Sequence, residues 1–221
     1  MLNISEIFRS LQGESTWAGL PCVFVRLSGC NLACRYCDSE YARTDAGTRM
    51  SVAETVTAVQ RLGLTAAAAT VPLVELTGGE PLLQADAVPL LDALHAVCDS
   101  VLVETNGSIL LPPTRAFHTI LDVKCPGSGM AAHMEWRNLR RLQAGDEVKF
   151  VISDRGDFDY ALEVIRKQEL CGHRGVALLM SAVAGSVAPP ELAAWILASG
   201  LPLRLQLQVH KLLWPDIRRG V

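Results

Sequence analysis

Val23-Phe24-Val25-Arg26-Leu27-Ser28-Gly29-Cys30-Asn31-Leu32-Ala33-Cys34-Arg35-Tyr36-Cys37 is the stretch from which the rest of the chain can be read. Its first residues alternate as a strand does. Val23, Val25 and Leu27 share one face and Phe24, Arg26 and Ser28 the other, because successive side chains point to opposite sides. Gly29 allows a sharp turn out of the strand, and three thiols follow as C-x3-C-x2-C. The two-faced pattern recurs downstream. Glu75 and Thr77 oppose Val74 and Leu76, and Glu104 and Asn106 oppose Val103. Asp122 and Lys124 share a face, while Arg204, Gln206, Gln208 and His210 oppose Leu205, Leu207 and Val209. A parallel sheet covered by helices on both sides reads as unbroken Val, Ile and Leu. Here one face is repeatedly charged, which fits either a solvated sheet face or a barrel holding a polar ligand.

The order of elements favours the barrel. Strands are expected at Cys22–Ser28, Val71–Thr77, Val101–Thr105, Ile120–Lys124, Val148–Ile152, Val176–Met180 and Arg204–Val209. Helical spacing falls between several of them, at Ser51–Leu62, Asp86–Val97, Asp157–Leu170 and Pro189–Ser199. Ser51 and Glu54 have the spacing of a capping box. Alternating β and α units imply a parallel sheet. A complete eight-unit barrel takes about 250 residues, so 221 residues suggest a partial, incomplete TIM-like barrel of parallel strands. With no repeat or linker evident, residues 1–221 read as a single domain.

Composition narrows the class. Half the residues are apolar, enough for a sizeable core. Twenty basic against 23 acidic side chains, without a block of like charge, argue against a nucleic-acid surface. Five Phe, three Tyr and four Trp are few for base-stacking platforms. The stretch from Met1 to Phe8 has no basic-then-apolar leader pattern, and no apolar run reaches membrane-spanning length; the alanine run Ala66–Ala69 is short. The expectation is a soluble cytoplasmic protein without nucleic-acid or membrane partners.

Seven cysteines are unevenly placed: Cys30, Cys34 and Cys37 crowd together, while Cys22, Cys98, Cys125 and Cys171 are scattered and read as small buried or semi-buried residues. Clustering points to a metal site rather than a disulfide framework. Three thiolates on one loop at the C-terminal mouth of a barrel can hold three corners of a [4Fe–4S] cluster and leave one iron open. The alternative is zinc, with a fourth ligand from Cys22, Asp38 or a histidine.

The C-x3-C-x2-C loop after the first barrel strand, with Tyr36 inside it, resembles the radical S-adenosylmethionine (SAM) superfamily. Thr77-Gly78-Gly79-Glu80-Pro81 after the second strand resembles that superfamily's GGEP motif. Phe8-Arg9-Ser10-Leu11-Gln12-Gly13-Glu14-Ser15 is similar to a signature of the 7-carboxy-7-deazaguanine synthase family. Cys37-Asp38-Ser39, Glu104-Thr105-Asn106-Gly107, Lys124-Cys125-Pro126-Gly127-Ser128-Gly129 and the segment from Gln208 to Val221 fit the same family. Almost the whole chain is covered.

The resemblance implies a lyase that contracts the ring of 6-carboxy-5,6,7,8-tetrahydropterin to 7-carboxy-7-deazaguanine with loss of ammonia, toward queuosine and other deazapurines. It implies a [4Fe–4S] cluster on Cys30, Cys34 and Cys37, regenerated SAM, and magnesium on Ser39. SAM contacts would come from Tyr36, Cys37, Asp38, Gly79, Asp122, Val123 and Lys124; many members carry Ser-Pro-Lys where this chain has Asp122-Val123-Lys124. Leu11, Gln12, Gly13 and Glu14 would read the pterin edge, Arg26 would pair with the substrate carboxylate, and Thr77 and His210 would add contacts. Glu104 would steer the radical or a proton. A flavodoxin or ferredoxin reductant and a homodimer are also implied. Plainer roles exist: a structural Arg26–Glu75 ion pair, a turn-capping Ser39, a structural His210 at a strand end. A glycyl-radical activase shares the cysteine loop but has no use for Gln12-Gly13-Glu14. A structural zinc or cluster module leaves Arg26, Glu104 and Lys124 without a purpose.

Overall fold

The computed structural model describes residues 1–64 and 70–221; the alanine run Ala66–Ala69 lies outside the described residues. Nine strands form one sheet: β1 (Leu2–Leu11), β2 (Pro21–Leu27), β3 (Thr48–Met50), β4 (Val71–Gly78), β5 (Cys98–Thr105), β6 (His118–Val123), β7 (Glu147–Ile152), β8 (Ala177–Ala182) and β9 (Leu203–Gln206). Their order is β3-β1-β2-β4-β5-β6-β7-β8-β9, running from one edge to the other without closing. From β2 to β9 every pairing is parallel, which makes the seven strands read from the sequence the barrel staves. β1 and β3 extend the sheet antiparallel.

The helices are α1 (Glu40–Thr44), α2 (Val52–Gly63), α3 (Ala87–His95), α4 (Arg155–Lys167), α5 (Pro189–Ser199) and α6 (Val209–Leu213). α2 begins where the capping box places it. Glu54 N–H donates to Ser51 Oγ at 3.2 Å, and Ser51 N–H donates to Glu54 Oε2 at 2.7 Å. α4 starts earlier than its apolar spacing suggests, because Asp154 accepts from Asp157 N–H at the helix entrance.

Two departures from the sequence reading bear on function. β1 went unread because a bulge between Ile4 and Glu6 shifts its register and breaks the period-two pattern. The last strand ends at Gln206, and the chain turns into α6, so His210 sits on a short helix and not at a strand end. Among the scattered thiols Cys22, Cys98 and Cys125 are buried as expected, whereas Cys171 is exposed.

The outward apolar residues make two cores. Val23, Val25, Leu76, Leu90 and Leu94 pack in one, and Phe150, Ile152, Phe158, Met180 and Leu192 in the other. The inward face is layered. Phe8, Cys22, Phe24, Leu73, Leu102 and Ile120 form an apolar floor, with Trp17 packed against it. Two residues further along their strands, on the same face, come Arg26, Glu75, Glu104 and Asp122. The polar lumen is therefore set by strand periodicity above a dry floor. Below it, a fully buried Arg115–Asp146 ion pair fastens the β6–β7 end of the sheet. Asp146 also accepts the backbone N–H of Thr119 at 2.8 Å and of Gln143 at 2.7 Å.

Candidate active site

The C-terminal ends of the parallel strands open into a cavity of about 450 Å³. Every site residue named from the sequence lines it except Val123. Leu11, Gln12, Gly13, Glu14, Arg26, Thr77, Glu104 and His210 surround the lumen. Tyr36, Asp38, Ser39, Gly79, Asp122 and Lys124 join Cys30, Cys34 and Cys37 at the mouth. The Val123 side chain faces the other way, fully buried in the outer core, so only its backbone is available to a ligand.

The cysteine loop is held by its neighbours. Glu80 N–H donates to Gly29 O at 2.8 Å and Gly79 N–H to Leu27 O at 3.1 Å. A side chain at Gly79 would drive into Gly29 and Cys30, so glycine is required where these two turns touch. Glu80, itself fully buried, accepts from Leu82 N–H, Asn106 N–H and Thr105 Oγ1 at 3.0, 2.7 and 2.8 Å. Burial pushes its carboxyl up to about 7 against those donors. Asn106 Nδ2 in turn lies 3.7 Å from Cys30 Sγ.

The donor set fits an iron–sulfur cluster. Three thiols face one cavity, and none of the other four cysteines lines it. Burial raises the thiols of Cys34 and Cys37 above the ordinary cysteine value, while nearby Lys124 favours their charged forms. Among the described residues no three His, Cys, Asp or Glu side chains converge as ligands of a single ion. Beside the thiols, Asp122 pairs with Lys124 at 2.6 Å through Oδ2, while its Oδ1 is buried without a partner. An unpartnered buried acceptor at the mouth is what a donor-bearing ligand would satisfy.

Deeper in, the lumen residues are linked to one another. Arg26 pairs with Glu6 of β1, not with Glu75: Nε lies 2.8 Å from Glu6 Oε1. The Gln12 amide is already engaged. Its Nε2 donates to Glu75 and its Oε1 accepts Glu14 N–H at 2.9 Å. The Glu14 carboxylate accepts from Lys149 at 2.6 Å and from Gln206 and Gln208 at 2.8 Å each. Burial would raise its pKa, but Lys149 overrides this and holds it below the usual carboxylate value. Lys149 Nζ also lies 2.6 Å from Glu104 Oε1. Burial alone would lower that ammonium; Glu104 and Glu14 reverse the sign and raise it well above an ordinary lysine. Glu75 takes the opposite course, pushed well up by burial and by facing Glu104.

Glu104 Oε2 has only a 3.4 Å contact from Thr77 Oγ1, which leaves it the more open carboxylate. Ser39 precedes α1 but makes no cap bond; its hydroxyl donates to Asp38 Oδ1 at 3.2 Å and faces Arg26 Nη1 at 3.5 Å. Lys149 and Gln208 belong to the site although the sequence reading singled out neither for it. The signal for Lys149 was present, a lone charge between Val148 and Phe150 with the parity of the other lumen residues.

The tail closes the open side. Val209 N–H donates to Gly13 O at 2.9 Å, and Lys211 pairs with Asp38 at 2.7 Å. Gly220 N–H donates to Glu6 at 3.1 Å, and the Arg219 guanidinium lies 4.2 Å over the Tyr41 ring. His210 packs so closely on Gly13 that a Cβ there would overlap its ring. Burial lowers its pKa below the ordinary imidazole value.

An open parallel barrel with a three-thiol loop and a glycine pair at its mouth defines a class, and residues 24–122 match the model of the Radical SAM superfamily. The solved structure of SuiB from Streptococcus suis bound to S-adenosylmethionine shares the fold at TM-score 0.55 and 12% identity, covering 86% of this chain and 51% of that one. QueE from Escherichia coli superposes at TM-score 0.71 with 24% identity, over 95% of this chain and 94% of that one. The particular assignment comes from sequence. The 7-carboxy-7-deazaguanine synthase of Koribacter versatilis is 42% identical over the full length of both chains. That of Chlorobaculum tepidum is 42% identical over all of this chain and 97% of the other. The chain belongs to the 7-carboxy-7-deazaguanine synthase family.

Proposed function

We propose that this chain, working as one domain over residues 1–221, converts 6-carboxy-5,6,7,8-tetrahydropterin to 7-carboxy-7-deazaguanine. The reaction is redox-neutral, since substrate and product differ by the elements of ammonia. The observation that carries the reading is one cavity combining the three-thiol mouth with a lumen of Glu14, Glu75, Glu104, Lys149 and Arg26. When bound on Cys30, Cys34 and Cys37, the [4Fe–4S] cluster with S-adenosylmethionine supplies the radical that takes hydrogen from pterin C6.

The remaining work falls to the protein. Tyr36, Cys37, Asp38, Gly79, the Asp122 and Lys124 side chains and the Val123 backbone hold the S-adenosylmethionine. Arg26 keeps a guanidinium edge beyond its Glu6 bond for the substrate carboxylate. Leu11, Gly13, Thr77 and His210 shape the pterin pocket. Gln12 supports it from behind, through Glu75 and the Glu14 backbone. Glu104, with its open oxygen, meets the ring's N–H donors and receives or returns a proton there. The apolar floor and the tail exclude water.

Ser39 would supply an oxygen ligand to magnesium, a cation that keeps several of its waters. A titration of turnover with magnesium, compared between wild type and Ser39→Ala, tests that role. A flavodoxin or ferredoxin delivers the electron at the mouth, where Cys37 is exposed. Two copies form a dimer over the exposed Leu205, Leu207, Leu212 and Leu213, which sedimentation would detect. Seven free cysteines suit the reducing cytoplasm, and the product feeds the synthesis of queuosine or other deazapurines. The decisive experiment mixes anaerobically reconstituted protein with reductant, S-adenosylmethionine, magnesium and the tetrahydropterin, and analyses products by mass spectrometry. Appearance of 7-carboxy-7-deazaguanine, lost in Cys34→Ala, supports the proposal. Deoxyadenosine without pterin conversion overturns the substrate assignment.

A further inference from the structure

Three glutamates from three different elements face one lumen: Glu14 from the loop after β1, Glu75 from β4 and Glu104 from β5. Burial pushes Glu75 toward its neutral form, but the substrate proposed above is itself an anion, so the other carboxylates would repel it without compensation. Arg26 does not compensate these carboxylates: its Nε is paired with Glu6, and its remaining edge is kept for the substrate carboxylate. Lys124 is likewise paired with Asp122. The compensating cation is Lys149 on β7, whose side chain is 7% exposed and whose ammonium lies 2.6 Å from both Glu14 Oε2 and Glu104 Oε1.

The two carboxylates differ in what remains to them. Glu14 accepts further bonds from Gln206 and Gln208, so both of its oxygens are used within the protein. Glu104 gives one oxygen to Lys149, while the other has only the long Thr77 contact and faces the cavity. Glu14 is thus an anchor for Lys149, and Lys149 is an anchor for Glu104. A pyrimidine ring carrying adjacent ring N–H and amino donors is matched by one such fixed carboxylate.

We propose that Lys149 is a positioning residue for the pterin: by clamping Glu14 to Glu104 it compensates the lumen's charge and presents the open Glu104 oxygen to the ring's N–H donors. It touches no reacting atom and acts through Glu104. The inference rests on the pterin reading above. Removing the ammonium leaves Glu14 and Glu104 facing each other in a buried site, where two carboxylates do not both stay ionised. One of the two then takes up a proton, and Glu104 loses its fixed position.

The test measures equilibrium binding of 6-carboxypterin, a fluorescent oxidised analogue, to cluster-loaded protein. Wild type, Lys149→Met, Lys149→Arg and the double variant Lys149→Met/Glu14→Gln are compared, with folding monitored by circular dichroism. Lys149→Met is expected to bind at least tenfold more weakly. Lys149→Arg restores binding to within about threefold of wild type, since a guanidinium also bridges two carboxylates. The double variant recovers most of the loss, because the amide that replaces the Glu14 carboxylate carries no charge to oppose Glu104. In protein labelled with ¹³C at the Glu carboxyl groups, Lys149→Met shifts one resonance to the protonated position at neutral pH. Wild-type binding by Lys149→Met overturns the proposal, as does a loss that neither the conservative nor the second-site change relieves. Failure of wild type to bind the analogue removes the pterin reading itself, and this inference with it.

Discussion

Replacing Gly79 with alanine tests whether the contact between the two glycine turns holds the cysteine loop. The added Cβ would lie 2.7 Å from the Gly29 carbonyl carbon and 2.8 Å from Cys30 Cβ, and nearer still to Gly29 O. Non-bonded carbons settle at about 3.5–4.0 Å, so the start of the loop must retreat by about 1 Å. That retreat stretches the 2.8 Å bond from Glu80 N–H to Gly29 O, at a cost of about 1 kcal/mol. Forcing an extra carbon against backbone adds about 1–3 kcal/mol. The sum, about 2–4 kcal/mol, lowers the melting point of a domain this size by about 10 °C. Thermal unfolding of the cluster-free protein reads this without the cofactor, and iron content after anaerobic reconstitution reads its effect on the loop. Gly172→Ala is the control, since nothing lies within 4 Å of a Cβ there. A Gly79→Ala protein with unchanged melting and a full complement of iron would refute the reasoning.

Other sites give sharp expectations. Arg115→Met strands the buried Asp146 carboxylate and should cost about 3–5 kcal/mol, seen as a fall in the urea midpoint without a change in slope. Glu147 accepts Thr16 N–H at 3.0 Å and the Thr16 hydroxyl. Its replacement by alanine frees the loop that carries Gln12 to Glu14 and should raise the pterin KM about tenfold, from the loss of about 1.5 kcal/mol, with kcat nearly kept. The folded pKa of His210 lies below its unfolded value, so the neutral ring's contribution is complete above about 6.5 and is lost as pH falls through the folded value. Glu14, Asp38, Lys149 and Lys211 are the charges around it. Protection factors in residues 208–221, taken as exchange relative to the intrinsic rate at each pH, should therefore fall on acidification to about pH 5, and His210→Gln should flatten that response.

Most of the barrel was legible because its staves obey a strict period of two, with Val and Leu outward and charge inward. The same rule hid β1, where the bulge at Ile4–Glu6 slips the alternation and Ile7 and Phe8 fall next to each other. With β1 unseen, Glu6 was unseen, and so Arg26 was offered Glu75 as its only structural partner. The mouth was legible for a different reason: thiols and glycines at fixed short spacing lie on single loops. The lumen was legible only as a set of residue types. Which carboxylate is engaged and which is open depends on contacts between elements up to 194 positions apart, as between Glu14 and Gln208, and local pattern does not encode them. His210 was misplaced because Leu205-Gln206-Leu207-Gln208-Val209 alternates well beyond the point where β9 stops.

The tail that binds Glu6, Gly13, Asp38 and Asp45 also orders events in time. Gly220 and Glu6 are 214 positions apart, so closing the chain between them costs more entropy than pairing neighbouring staves, and the tail is expected to dock late. The parallel staves can pair before residues 208–221 dock, because none of their ladder bonds involves the tail. During that interval the lumen is open along its side and the cysteine loop can be reached from there. Once residues 208–221 dock, entry is confined to the mouth. A tail held away from Glu6 and Asp38 would prolong the interval in which the lumen is open to water and solutes along its side.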